Sequence, residues 1–162
     1  MSSRAEKLAA RIEEGAAGLA SFAEGLSDEE WTTPLSTGRD RRTIGVIVHH
    51  VASMYPIEIE VAKAVASGGT VMNVSWDDVA AINAGHALEN APATKGAALE
   101  LLRRNSQAAA DVVRAFTDEE LDRAAPFSLS YGAPMTAQFV VEDHALRHSW
   151  HHLARIRLTL GR

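Results

Sequence analysis

Histidine is the chemistry-bearing residue type that stands out in this chain. His49 and His50 are adjacent, His86 is isolated, and His144, His148, His151 and His152 fall within nine residues. Imidazole nitrogen is a good ligand for zinc, nickel, iron or copper. On a helix, residues four apart share a face, so His144 with His148 and His148 with His152 are two pairs that could each grip one ion. The chain has no cysteine. Disulfides, thiolate ligands and a cysteine nucleophile are therefore excluded, and any metal must be held by histidine or carboxylate.

What positions these histidines is a nearly all-helical chain. Apolar residues recur at helical rather than alternating spacing almost throughout. A first helix is predicted from about Arg4 to Gly25, carrying Leu8, Ile12, Leu19 and Phe22. Ser27 with Glu30 forms a capping-box pattern for a short helix ending by Pro34. The loop Leu35 to Arg42 then leads to Thr43, the N-cap of a long helix reaching about Ser67, in which Pro56 should introduce a kink or mark the midpoint. After Gly68-Gly69 a helix is expected from about Asp77 to Glu89. Pro92 and Thr94 separate it from another at about Thr94 to Phe116. Thr117 with Glu120 repeats the capping box, Pro126 closes that turn, and a loop with Tyr131, Gly132 and Pro134 precedes the last helix, about Met135 to Leu160. The two halves share one order: long helix, capping-box turn, proline-ended loop, long helix with histidine. The expected fold class is all-α, a four-helix bundle with short extra helices in the connections, forming one domain over residues 1–162.

A helical wheel at about 100° per residue selects among the histidines. In the last helix Val141, Ala145, Ile156 and Leu160 define an apolar face that also holds His148 and His152, while His144, His151, Arg147 and Arg155 lie toward its polar edge. In the second long helix Val46, Ile47, Met54, Ile57, Val61, Ala64 and Val65 form a stripe with His50 near its centre and His49 toward its edge. Three imidazoles directed into one core would be costly unless paired, and a divalent metal resolves that cost. The expected ligands are His50, His148 and His152, with His144, His151 and His49 as second-layer or alternative ligands. Three protein ligands leave a fourth position for water or substrate. His86 has no partner in sequence and reads as structural or surface.

Two segments carry a family resemblance: His144-Ala-Leu-Arg-His148-Ser-Trp-His151-His152-Leu-Ala-Arg-Ile156 and Thr43-Ile-Gly-Val-Ile-Val-His49-His50-Val-Ala. They resemble the DinB/YfiT-like proteins, related to the mycothiol-dependent maleylpyruvate isomerases. The resemblance implies a metal-binding four-helix bundle, commonly dimeric, whose three-histidine site falls on His50, His148 and His152. After the paired histidines the family often has Arg-Gly-Gln, where this chain has Leu153-Ala154-Arg155. The family includes thiol-dependent transferases and isomerases, so the resemblance also implies a low-molecular-weight thiol as cosubstrate.

Around such a metal, Glu58 is a candidate base or outer ligand, although a glutamate on a helix flank is usually solvated. Tyr55 reads as packing more than as an acid, and Asn83 as a pocket wall or a surface amide. Trp31, Trp76 and Trp150 are expected in the core or an interface. A net charge of −5 argues against a nucleic-acid surface. Arg39, Arg41 and Arg42, the one tight basic cluster, read as a solvated turn. Residues Met1 to Leu26 lack an unbroken apolar run, so neither a signal peptide nor a membrane span is expected there, and the location is expected to be cytoplasmic. No GxSxG elbow, phosphate-binding glycine loop or HExxH is present. The functional expectation is a divalent-metal enzyme acting on a small molecule, with zinc or nickel ahead of iron or manganese. Thiol-dependent transfer or isomerisation comes first and hydrolysis second. The rival is a non-catalytic, metal-stabilised dimerisation or stress-related binding module.

Overall fold

A computed structural model describes residues 2–38, 40–91 and 93–162. Four long helical segments form the bundle: α1 (Ser3–Glu24), α3 (Ile44–Ala66), α5 (Lys95–Arg114) and the last segment, made of α7 (Ala137–Val141) and α8 (Arg147–Leu160). Helix α1 packs on α5 and α8, and α3 packs on α5 and on the α7–α8 segment, closing the ring. Three short helices sit in the connections: α2 (Asp28–Thr32), α4 (Trp76–Glu89, the longest of them) and α6 (Asp118–Asp122).

The local rules read from the sequence hold. Ser27 with Glu30 and Thr117 with Glu120 form reciprocal capping boxes, and Ser75 with Asp78 forms a third. Thr43 accepts from the Val46 amide as the N-cap of α3. The stripe Leu8, Ile12, Leu19 is buried along α1. Of the stripe expected along α3, Val46, Ile47 and Val65 are buried, Met54, Val61 and Ala64 are half-buried, and Ile57 is 51% exposed, because Met54, Ile57 and Val61 line a cavity rather than the core. Each buried aliphatic side chain contributes roughly 1.5–3 kcal/mol by leaving water.

Two expectations change. The loop after α6 contains a two-stranded hairpin, β1 (Ala124–Pro126) with β2 (Pro134–Thr136), paired Ala125 to Met135. Met135 is thus a strand residue, and the last helix begins only at Ala137. The strands are too short to show alternation, which is why periodicity passed over them. The α3–α4 connection joins this hairpin: the Val71 amide donates to Pro126 O at 3.0 Å, and the Ser128 amide to Val71 O at 2.7 Å. Second, the last helix is not a uniform 3.6-residue winding. Glu142–Leu146 forms one π-helical turn between α7 and α8, which rotates everything after it relative to a plain wheel. Helix α3 continues through Pro56, which stands near its midpoint as expected. Proline has no amide to reach the carbonyl of Ala52, and Asn105 Nδ2 of α5 donates to that oxygen instead, at 2.8 Å. Pro92, expected between α4 and α5, lies outside the described residues. No helix among the described residues is long and apolar enough to cross a membrane.

Candidate metal centre and its cavity

Helices α3 and α8 are packed neighbours in the bundle, so histidines on their facing sides meet. The structure brings His50, His148 and His152 together, each offering a ring nitrogen within 4.8 Å of the other two. Nε2 of His50 lies 3.2 Å from Nε2 of His148. Ligand nitrogens on one tetrahedral ion, at about 2.0–2.1 Å each, stand about 3.3–3.4 Å apart, so this spacing suits two ligands of one metal. The cluster is also short of partners in its own right. Nδ1 of His50 and Nδ1 of His152 are buried with none among the described residues, and two facing Nε2 atoms need only one proton between them. The residues present fit a divalent ion.

Protonation favours ligation as well. Burial, then repulsion from His148 and Arg42, pushes the His50 imidazole down to about 2. Burial and the neighbouring His148 and His50 likewise lower His152. Both rings are therefore neutral at ordinary pH, which is the form that ligates.

Glu58, two turns beyond His50, is not the solvated flank residue its type suggests. Its Oε1 lies 2.6 Å from His148 Nδ1 with only 11% of its side chain exposed, while Oε2 is buried without a partner. A carboxylate on the outer nitrogen of a histidine fixes the ring and its tautomer, leaving Nε2 free to face His50. Tyr55 is fully buried, and its hydroxyl shares a 2.7 Å hydrogen bond with Ser149 Oγ. Burial raises its pKa, and it is not among the residues that line the cavity described below.

The cavity of about 320 Å³ beside the histidines takes its floor from His50, His148, His152 and Glu58. Its walls are mainly apolar, including Met54, Val61 and Phe127, and α4 contributes Trp76, Ile82 and Asn83. Asn83 is therefore at the wall, half-buried. Trp76, expected in a core or interface, is 56% exposed and donates from its indole to Leu129 O at 3.1 Å. Trp31 is buried and Trp150 half-buried.

The remaining histidines sort by position. His144 lines the cavity, packs edge-on against Phe127, and keeps a buried, unpaired Nε2. His151 is exposed at the cavity rim. His86 proves to have a spatial partner: its Nε2 is 2.9 Å from His49 Nδ1, and its ring lies 5.4 Å from that of His50. Sequence distance hid this contact, because α4 folds back over α3.

Arg42 departs from the solvated-turn reading of the basic cluster, whereas Arg41 is exposed as that reading expects. Arg42 Nε and Nη2 grip Asp40 at 3.0 and 2.8 Å, Arg155 Nη1 reaches the same carboxylate at 3.3 Å, and Arg42 lines the cavity. Burial alone would raise the Asp40 carboxyl, but the Arg42 hydrogen bonds outweigh it and, with Arg155, bring it down to about 2. The Asp40 to Arg42 spacing within a loop was the available signal. Arg39 lies outside the described residues.

Fold and site together define a helical bundle with a histidine-floored cavity between facing helices. The chain belongs to the DinB superfamily, whose family model matches residues 11–156. No curated protein matches the sequence. Among solved structures, it is similar to YfiT from Bacillus subtilis, a probable metal-dependent hydrolase with an unusual four-helix bundle topology. That pair has a TM-score of 0.77 and 22% identity, covering 99% of this chain and 90% of that one. The colibactin self-resistance protein ClbS, solved with double-stranded DNA, gives 0.73 at 13% identity, covering 98% and 96%. A mycothiol-dependent maleylpyruvate isomerase gives 0.69 at 14% identity, covering 96% of this chain and 63% of that one. At these identities the likeness is one of fold.

Proposed function

We propose that this protein is a divalent-metal-dependent enzyme acting on a small molecule held in the cavity, with His50, His148 and His152 as the metal ligands. The observation that carries the reading is the convergence of three buried or half-buried imidazoles beside an open cavity, one of them oriented from outside by Glu58. A divalent ion there would supply Lewis acidity and lower the pKa of a coordinated water or thiol. The chain's own contributions are separate: Glu58 holds the His148 ring and tautomer, and the apolar walls exclude water from the substrate's body. Asn83 offers an amide from the part of the lining that α4 supplies.

Thiol-dependent transfer or isomerisation is the preferred reaction class, supported by the family and by the fold shared with the mycothiol-dependent isomerase. Hydrolysis is the second reading, favoured by the likeness to YfiT. A net charge of −5 supports a small-molecule substrate over nucleic acid. Zinc and nickel suit an all-imidazole donor set, with iron and manganese next.

Elemental analysis of purified and reconstituted protein tests the metal. One equivalent in the wild type and a loss in His148→Ala are expected, and no stoichiometric metal after reconstitution refutes the reading. Thiol titration of the cobalt-substituted protein then divides the chemistries. A thiolate-to-metal absorption band is expected for the thiol-dependent class. A metal with no exchangeable position makes it a structural element of a non-catalytic scaffold.

A further inference from the structure

We propose that the cavity takes an apolar molecule bearing a single carboxylate, and that Arg42 anchors that carboxylate. The proposal rests on the cavity being the substrate site and adds the class of substrate. Arg42 spends one edge of its guanidinium on Asp40, through Nε and Nη2. Nη1, on the edge turned away from that carboxylate, is buried and has no hydrogen-bond partner among the described residues. A buried guanidinium nitrogen without an acceptor is costly, and an incoming anion removes that cost.

Charge points the same way. Arg42 and Arg155 share the one carboxylate of Asp40, and the remaining Arg155 bonds go to Thr37, whose groups are neutral. Among the described residues this cluster therefore carries one uncompensated positive charge, while the cavity's Glu58 carboxylate is held at the other end, against His148 Nδ1 at 2.6 Å. The other arginine at the cavity, Arg147, is already engaged with Asp143 at 3.1 Å and is largely exposed. A single positive charge with one free guanidinium nitrogen suits a monoanion bound through one oxygen, not a phosphate dianion. The apolar walls suit a hydrocarbon or aryl body, and about 320 Å³ is the small end of the range for small-molecule sites. Arg42 precedes the N-cap of α3 and His50 lies two turns into that helix. A ligand anchored at Arg42 thus extends along α3 toward the histidines.

The test is calorimetric titration of metal-free protein with 4-phenylbutyrate and with its neutral counterpart 4-phenylbutyramide. Removing the metal prevents the carboxylate from binding there instead. Wild type is expected to prefer the acid by about tenfold or more, the size of a charge-assisted hydrogen bond. Arg42→Gln should abolish that preference while leaving the amide's affinity nearly unchanged, and Arg147→Gln should keep it. Equal affinities in wild type, binding of neither compound at millimolar concentration, or loss of the preference in Arg147→Gln instead would overturn the proposal. So would a parallel loss of both ligands in a folded Arg42→Gln. The wild-type comparison decides even if that variant does not fold. His148→Ala, which tests the metal reading, should retain the acid preference, so the two ideas fail separately.

Discussion

Replacing Glu58 by glutamine tests how the centre is held. The variant keeps size and an acceptor oxygen but removes the charge facing His148 Nδ1 across 2.6 Å, in a pair only 11% and 16% exposed. Losing such an outer partner commonly costs 10- to 100-fold in metal affinity. With free metal at 100 times the wild-type dissociation constant, binding stabilises the fold by about 2.7 kcal/mol, a rise of roughly 5–11 °C in Tm for a chain of this size. At the same concentration the variant would gain only about 0.4–1.4 kcal/mol, or roughly 1–6 °C. The assay is competition against a chromophoric chelator, with thermal melts of the chelated and loaded forms. Glu60→Gln is the control, because that side chain sits on the same helix at 70% exposure, paired only with Lys63. Metal affinity of Glu58→Gln within twofold of wild type would refute the assigned role.

Three further outcomes are expected. Burial puts the folded-state His50 pKa at about 2, below the unfolded value near 6.5, so the unfolded chain takes up the proton first. Stability of the metal-free protein is therefore intact above pH 6.5 and falls below it by about 1.4 kcal/mol per pH unit for this residue. Urea midpoints at pH 7 and pH 5 should show the loss, and a drop no smaller in His50→Leu would contradict it. Tyr55→Phe strands the buried Ser149 hydroxyl and should cost about 1–2 kcal/mol by denaturant melt. Adding Ser149→Ala should recover part of that, and a strictly additive double variant would argue against the coupling. Gly45→Ala places a Cβ 2.5 Å from the Trp31 ring. It should destabilise by about 1–3 kcal/mol, and an unchanged Tm would show that Trp31 yields freely.

Much of the site was legible because its residues obey one-dimensional rules. His50 and His152 are buried where the wheel directs them, and capping boxes mark α2 and α6. The illegible parts depend on what approaches from elsewhere in the chain. Glu58 is polar at an edge until His148 arrives from 90 positions away, and His86 meets His49 only because α4 folds back. Ser149 occupies a fully buried position in the last helix, beyond the π turn that a constant angle per residue does not include. Asn105, which supplies the Ala52 carbonyl with the donor that Pro56 lacks, comes from α5 and leaves no signal near Pro56.

Helix α4 buries just one described side chain, His86, and exposes Ile82 and Leu88 at 46% and 83%. Its amides should therefore exchange with solvent through openings that leave the other helices closed. Since α4 contributes Trp76, Ile82 and Asn83 to the lining, the cavity joins a rigid part, on α3 and α8, to a soft one. Selection for the reacting group would then reside in α3 and α8, while tolerance for the size of the rest of the molecule would reside in α4.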